Sequence, residues 1–176
     1  MAGHQVYPLY RNPDFTTAAF PEHGRTWIEA LSNPAVSSSG VWHCPSVSHQ
    51  QFPYGYNVWG SSFLGNWSDL GLGGHTIPKK GATGSFAPPI GESEVISPND
   101  MMAIGDSFSG VDVLERLFAD YLKGIGRSRH QGKGNVLFCD GHVESVTLES
   151  LFRDTSDAAL VRWNRDHQPH REQLEP

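Results

Sequence analysis

Apolar and polar positions alternate most clearly in the last third of the chain. Two runs, residues 136–139 and 142–146, flank Asp140-Gly141. Asp-Gly between β-branched and aromatic residues predicts a two-residue hairpin of type I′, with φ > 0 at both Asp140 and Gly141. A second alternation, at residues 54–59, predicts a strand with Tyr54, Tyr56 and Val58 on one face and Asn57 and Trp59 on the other. Residues 41–44 read as a strand ended by Pro45. Residues 101–104 read as a strand that delivers Asp106 at its C-terminal end.

The period changes at residues 111–123. Val111, Leu114, Leu117, Phe118, Tyr121 and Leu122 recur at helical spacing, and Gly124 and Gly126 follow. This predicts an amphipathic helix, with Asp112 and Lys123 placed as the macrodipole prefers. Residues 25–32 read as a short helix with a Thr26/Glu29 capping box, stopped at Asn33-Pro34. Residues 93–96 read as one helical turn. Residues 148–152 and 157–163 read as two C-terminal helices, the second capped by Thr155 or Ser156.

Residues 60–91 have no periodicity and carry Gly71, Gly73, Gly74, Gly81 and Gly84, which predicts a long irregular loop. Residues 1–23 read as an extended arm, broken by Pro8, Pro13 and Pro21. Its Tyr7, Leu9, Tyr10, Phe15 and Phe20 suit packing on the domain. Residues 24–166 then form one domain and residues 167–176 a polar tail. The fold class expected is α+β: a small antiparallel sheet with a C-terminal Asp-Gly hairpin, helices packed on one side, and long Gly-rich loops.

Composition narrows the function. A formal charge of −6, with no basic cluster, argues against a nucleic-acid partner and against anionic membrane surfaces. Acidic, oxygen-rich loops suit Ca²⁺ better. No run of 18 apolar residues occurs, so no membrane span is expected. The two cysteines, Cys44 and Cys139, allow one disulfide or two separate buried thiols.

His130 precedes Asp140-Gly141 by nine intervening residues. This His-x9-Asp-Gly stretch resembles the C-terminal signature of the prepilin-type, processing-associated proteins, which are similar to the major pseudopilin of type II secretion. The resemblance extends to Cys44-Pro45-Ser46, Tyr54-Gly55-Tyr56-Asn57, residues 94–98, residues 101–107 and the 162–170 segment Arg-Trp-Asn-Arg-Asp-His-Gln-Pro-His. It covers about residues 24–170, and the order of the motifs makes it specific. It implies an exported or periplasmic-facing structural protein, with pseudopilin or secretion-system subunits as partners and a Ca²⁺ site in the C-terminal β-region. The family begins with a prepilin signal and a long apolar helix. Here the first twenty residues are polar and Pro-containing. The chain is therefore expected either to have lost that segment or to be a divergent relative that need not assemble.

Three chemistries compete. Asp106 and Asp140, each at a strand end, are expected on one rim of the sheet as Ca²⁺ ligands. Asp140 also suits the turn for local reasons, and His130 suits a loop tied by a backbone carbonyl. Zinc finds no His-x3-His or Cys-x2-Cys pairing in its favour. A small metal-dependent hydrolase of esters or lactones would use His130 as base and a cation at Asp106 and Asp140, with Trp59, Phe63, Leu64 and Trp67 walling a pocket. No Gly-x-Ser-x-Gly elbow occurs. Tyr54, Tyr56, Trp59 and Trp67 also suit a binding surface.

Overall fold

Five residues of β-strand, Met102–Asp106, run through the middle of the molecule and pair on both sides. In the computed structural model, which describes residues 7, 44–47, 53–62, 70–79, 82–86, 89–108, 113, 114, 116 and 129–174, this strand is β4. With β1 (Tyr54–Tyr56), β5 (Lys133–Phe138) and β6 (Val143–Thr147) it forms a four-stranded sheet in the order β1-β4-β5-β6. All three pairings are antiparallel. Among the described residues the helices are few and short: α1 (Leu148–Phe152), α2 (Asp157–Leu160) and single 3₁₀ turns. The architecture is a small antiparallel sheet with a few helices, an α+β arrangement.

Alternation along β5 explains the layering. Val136 and Phe138 are fully buried and point to one face, where they pack with Met102, Phe108, Leu114, Leu148, Leu151, Phe152 and Trp163. The helical segments thus contribute to this cluster. A second cluster holds Tyr56, Val58, Leu72, Ile90, Val95, Met101, Ala103 and Val113, with Tyr7 packed against it. The Tyr7 amide donates to the Ile90 carbonyl at 2.8 Å. Tyr7 is the one described residue of the predicted arm.

Both C-terminal helices start where side-chain caps allow. Thr147 accepts from the Ser150 amide and Ser156 from the Ala159 amide. Arg116 is buried and donates to the Phe152 and Asp154 carbonyls at 3.2 Å, covering acceptors that the end of α1 leaves open.

The connection between β5 and β6 differs from the type I′ expectation. Gly141 alone of the central pair has a positive φ, +94°, while Asp140 is not among the left-handed residues. The Gly141 amide donates to the Phe138 carbonyl at 3.0 Å and the Phe138 amide to the His142 carbonyl at 2.9 Å. This is a three-residue turn closed by a bulge at glycine, so one left-handed position suffices. A Cβ at Gly141 would meet nothing within 4 Å. Gly141→Val is therefore expected to cost only the backbone term, about 1–3 kcal/mol, measurable by urea denaturation.

Other expectations also change. Residues 60–91 contain a hairpin, β2 (Thr76–Lys79) paired antiparallel with β3 (Ala82–Phe86). The predicted helix at 111–123 is not helical where it is described. Val113 forms a parallel bridge with Tyr56, and the Leu114 amide donates to the Tyr56 carbonyl at 2.8 Å. Gly55 permits this approach, since a Cβ there would run into the Val113 and Leu114 backbone. The predicted helix at 25–32, residues 41–43 of the predicted strand and residues 117–123 lie outside the described residues. Among the described residues no helix is long and apolar enough to cross a membrane.

Candidate functional site

Antiparallel pairing decides which charged residues meet. The C-terminal end of β4 lies beside the start of β5, so Asp106 comes next to Asn135, whose amide donates to Asp106 Oδ2 at 2.8 Å. Asp140 follows the other end of β5, where the Cys139 amide donates to the Met101 carbonyl. Four residues of strand, roughly 13 Å at about 3.3 Å per residue, separate those ends. Asp106 and Asp140 therefore do not share a rim and cannot share one ion. The expected Ca²⁺ pair and the His130/Asp106/Asp140 hydrolytic rim both lose Asp140 for this reason.

Asp106 is fully buried and paired. Arg129 donates to its Oδ1 at 2.8 Å and is itself almost fully buried. The same guanidinium donates to the Ser107 carbonyl at 2.6 Å and the Pro53 carbonyl at 2.8 Å, and it lies over the Phe108 ring. One side chain thus ties β4, the segment before β1 and the entry to β5 together.

The segment after Arg129 is strained. His130 (φ 48°), Gln131 (φ 59°) and Gly132 (φ 81°) are consecutive left-handed residues. Such backbone costs about 1–3 kcal/mol per non-glycine residue and persists where surrounding contacts fix it. Here it turns the His130 ring toward Asp106: Nε2 lies 3.4 Å from Asp106 Oδ2. Nε2 also lies 3.6 Å from Cys44 Sγ. Cys44, Asp106 and His130 converge, their ligand atoms all within 4.8 Å of one another, and this group can hold a metal ion. The sequence reading anticipated Asp106 and His130 but left Cys44 out. Cys44 stands 62 residues before Asp106 (106 − 44) and 86 before His130 (130 − 44), so local spacing carries no signal of the contact.

Cys44 and Cys139 do not form the disulfide considered for them; both are free thiols. Cys44 sits beside His130, whereas Cys139 sits at the Met101 end of β4. Burial pushes the Cys139 thiol up to about 11, with the Tyr7 hydroxyl pulling it down and the Asp140 charge raising it. At neutral pH it stays protonated and unreactive.

Asp140 and His142 form an exposed cluster at the turn. His142 Nδ1 lies 2.6 Å from Asp140 Oδ1, its Nε2 lies 3.4 Å from Glu144, and its ring stacks on Phe138. Arg162 bridges Glu144 at 2.6 Å and Asp100 at 3.0 Å. Hydrogen bonding to Asp140, helped by Glu144, raises His142 above its ordinary value against the opposing effect of desolvation. The backbone and side chain of His142 hold Asp140 below the usual carboxylate range. The raised histidine contributes stability that is complete below about pH 6.5, the unfolded value, and is lost as pH rises through the folded value. The lowered carboxylate contributes above about pH 4 and loses that as pH falls. The cluster is therefore expected to hold the turn best at roughly pH 4–6.5. An NMR titration of His142 checks this: its midpoint should lie above that of His142 in Asp140→Asn, and equal midpoints would remove the coupling.

Among the aromatics offered for a pocket or binding surface, Tyr56 is buried, and Tyr54 and Trp59 are half-buried against the second cluster. Phe63, Leu64 and Trp67 lie outside the described residues. Two residues that sequence reasoning did not single out connect distant parts of the chain. Asn57 donates to the Met102 and Trp163 carbonyls, and Asn164 accepts from the Ser61 amide. Comparison of the chain with protein-family models, with curated proteins and with solved structures finds no match.

Proposed function

We propose that the chain is the globular domain of a pseudopilin-like secretion protein with a structural role, as a subunit of a secretion pseudopilus or an accessory to it. The observation that supports this most is where the charged groups around the His-x9-Asp-Gly stretch are spent. Arg129 donates to two carbonyls and a carboxylate of its own chain. Asp140 accepts from the His142 amide two residues on. These groups face inward or close a turn, while a substrate site keeps convergent polar groups open to a cleft. The ordered sequence motifs supply the family-level part of the reading, and with it the exported setting and the secretion-system partners. A Ca²⁺ ion shared by Asp106 and Asp140 is not part of it, since the two carboxylates stand at opposite ends of β4 and β5.

The full chain, mixed with soluble domains of pilin-like secretion subunits from its own organism, is expected to co-elute with at least one on size exclusion. Co-elution with none counts against the role. The competing hydrolase is tested with a panel of p-nitrophenyl esters and acyl lactones. No turnover above buffer is expected. Turnover that disappears in a folded His130→Ala chain would replace the structural role with an enzymatic one.

A further inference from the structure

We propose that Cys44, Asp106 and His130 bind a divalent transition-metal ion of the zinc class, independently of the secretion role. The donors come from three segments far apart in sequence, and their ligand atoms all lie within 4.8 Å of one another. Two of the three edges have the lengths a tetrahedral ion requires, and the third, sulfur to carboxylate, lies within 4.8 Å. Bonds of about 2.3 Å to sulfur, about 2.05 Å to imidazole nitrogen and about 2.1 Å to carboxylate oxygen, at tetrahedral angles, put sulfur about 3.6 Å from nitrogen and nitrogen about 3.4 Å from oxygen. Cys44 Sγ lies 3.6 Å from His130 Nε2, and Nε2 lies 3.4 Å from Asp106 Oδ2.

Hydrogen bonding alone serves this geometry poorly. The same ring nitrogen, Nε2, faces both the thiol and the carboxylate. A neutral imidazole nitrogen either donates or accepts, so it satisfies one neighbour and leaves the other poorly matched. A cation between the three atoms takes a lone pair from each. The donor set also selects the ion. Ca²⁺ and Mg²⁺ take oxygen, while sulfur, nitrogen and carboxylate oxygen together suit Zn²⁺. Thiolate and carboxylate supply two negative charges against a dication.

A second layer of contacts is in place. Arg129 holds Asp106 Oδ1 at 2.8 Å, and the Asn135 amide holds Oδ2 at 2.8 Å, which fixes the carboxylate while leaving it lone pairs to spare. Entry is from one side. Cys44 is 1 % exposed and the Asp106 side chain 0 %, but the His130 side chain is 25 % exposed.

Cobalt(II) is the probe, added to the full chain after reduction and chelator treatment. One equivalent is expected to bind, giving a thiolate-to-cobalt charge-transfer band and the strong visible bands of tetrahedral cobalt, both displaced by Zn²⁺. Cys44→Ser should abolish the charge-transfer band. His130→Ala should weaken binding at least about tenfold. Cys139→Ser should keep both signals. Circular dichroism checks each fold, and if Cys44→Ser does not fold, His130→Ala with the Cys139→Ser control decides. The proposal is overturned if the reduced wild type gives no charge-transfer band. It is overturned equally if the band follows Cys139 rather than Cys44, or if binding is weak and lacks the band, as surface histidines such as His142 and His170 would give.

Discussion

Arg129→Ala is expected to lower the unfolding free energy by about 3–5 kcal/mol, the usual result of removing one partner from a buried ion pair. The magnitude follows from what stays behind. Asp106 is completely buried and would be left without its guanidinium partner. The Ser107 and Pro53 carbonyls would lose their donor at the same time. Lysine is not an equivalent replacement. One ammonium lacks the planar fork that reaches three acceptors, and it stacks less well over Phe108. Arg129→Lys should therefore recover only part of the loss. Urea denaturation measures both variants. A loss below about 1 kcal/mol for Arg129→Ala would mean that the pair contributes no more than an exposed one.

Asn57→Leu should cost at least as much, about 3 kcal/mol or more, from three buried groups at about 1–3 kcal/mol each. Asn57 is fully buried. Its Nδ2 donates to the Met102 carbonyl at 2.8 Å and the Trp163 carbonyl at 2.9 Å, and its Oδ1 accepts from the Gly60 amide at 3.0 Å. Leucine keeps the heavy-atom count and the branching and removes all three bonds, so the change reports chiefly on the polar contribution. Asn164→Leu removes a neighbouring set, in which Asn164 accepts from the Ser61 amide and donates to the Ser61 hydroxyl and the Gln168 carbonyl. The two sites hold the same 57–61 segment, so their losses should combine non-additively in the double variant. Strict additivity in urea melts would show that the segment is not a shared support.

Local pattern made parts of this molecule readable. Residues 148–152 and 157–163 read as helices, the second capped by Thr155 or Ser156, and α1 and α2 form there, with Ser156 as the cap of α2 and Thr147, which the pattern did not single out, as the cap of α1. The alternating 54–59 stretch gives a strand only through Tyr56. Beyond it the Val58 amide turns back to the Tyr56 carbonyl and the Asn57 carbonyl accepts from the Leu72 amide, which ends the pairing with β4. At Val113 and Leu114 the helical spacing misled, because these two residues find a better partner in the exposed edge of β1, which the small Gly55 opens to them. Tertiary contact overrode periodicity there.

The site was legible in halves. Asp106 and His130 carry recognisable chemistry, but their neighbours depend on strand direction. Two aspartates that each follow a strand look alike in sequence. Antiparallel pairing sends one to each end of the sheet. Cys44 reaches His130 only through tertiary structure, and Arg129 reads as an ordinary loop cation until its burial is known.

The ties between Asn57, Trp163 and Asn164 also set the order of events when the chain is made. Asn164, more than a hundred residues on, completes the support of a segment that begins at Pro53. Synthesis runs from the N-terminus, so β1 and β4 emerge long before the residues that brace them. Contacts this distant in sequence form late, because the intervening chain must first be closed into a loop. The 57–61 segment consequently acquires its final support only after Trp163 and Asn164 are free. Anything that retains those two residues, a ribosome or a translocation pore, leaves that segment unbraced and exposed to proteases and chaperones.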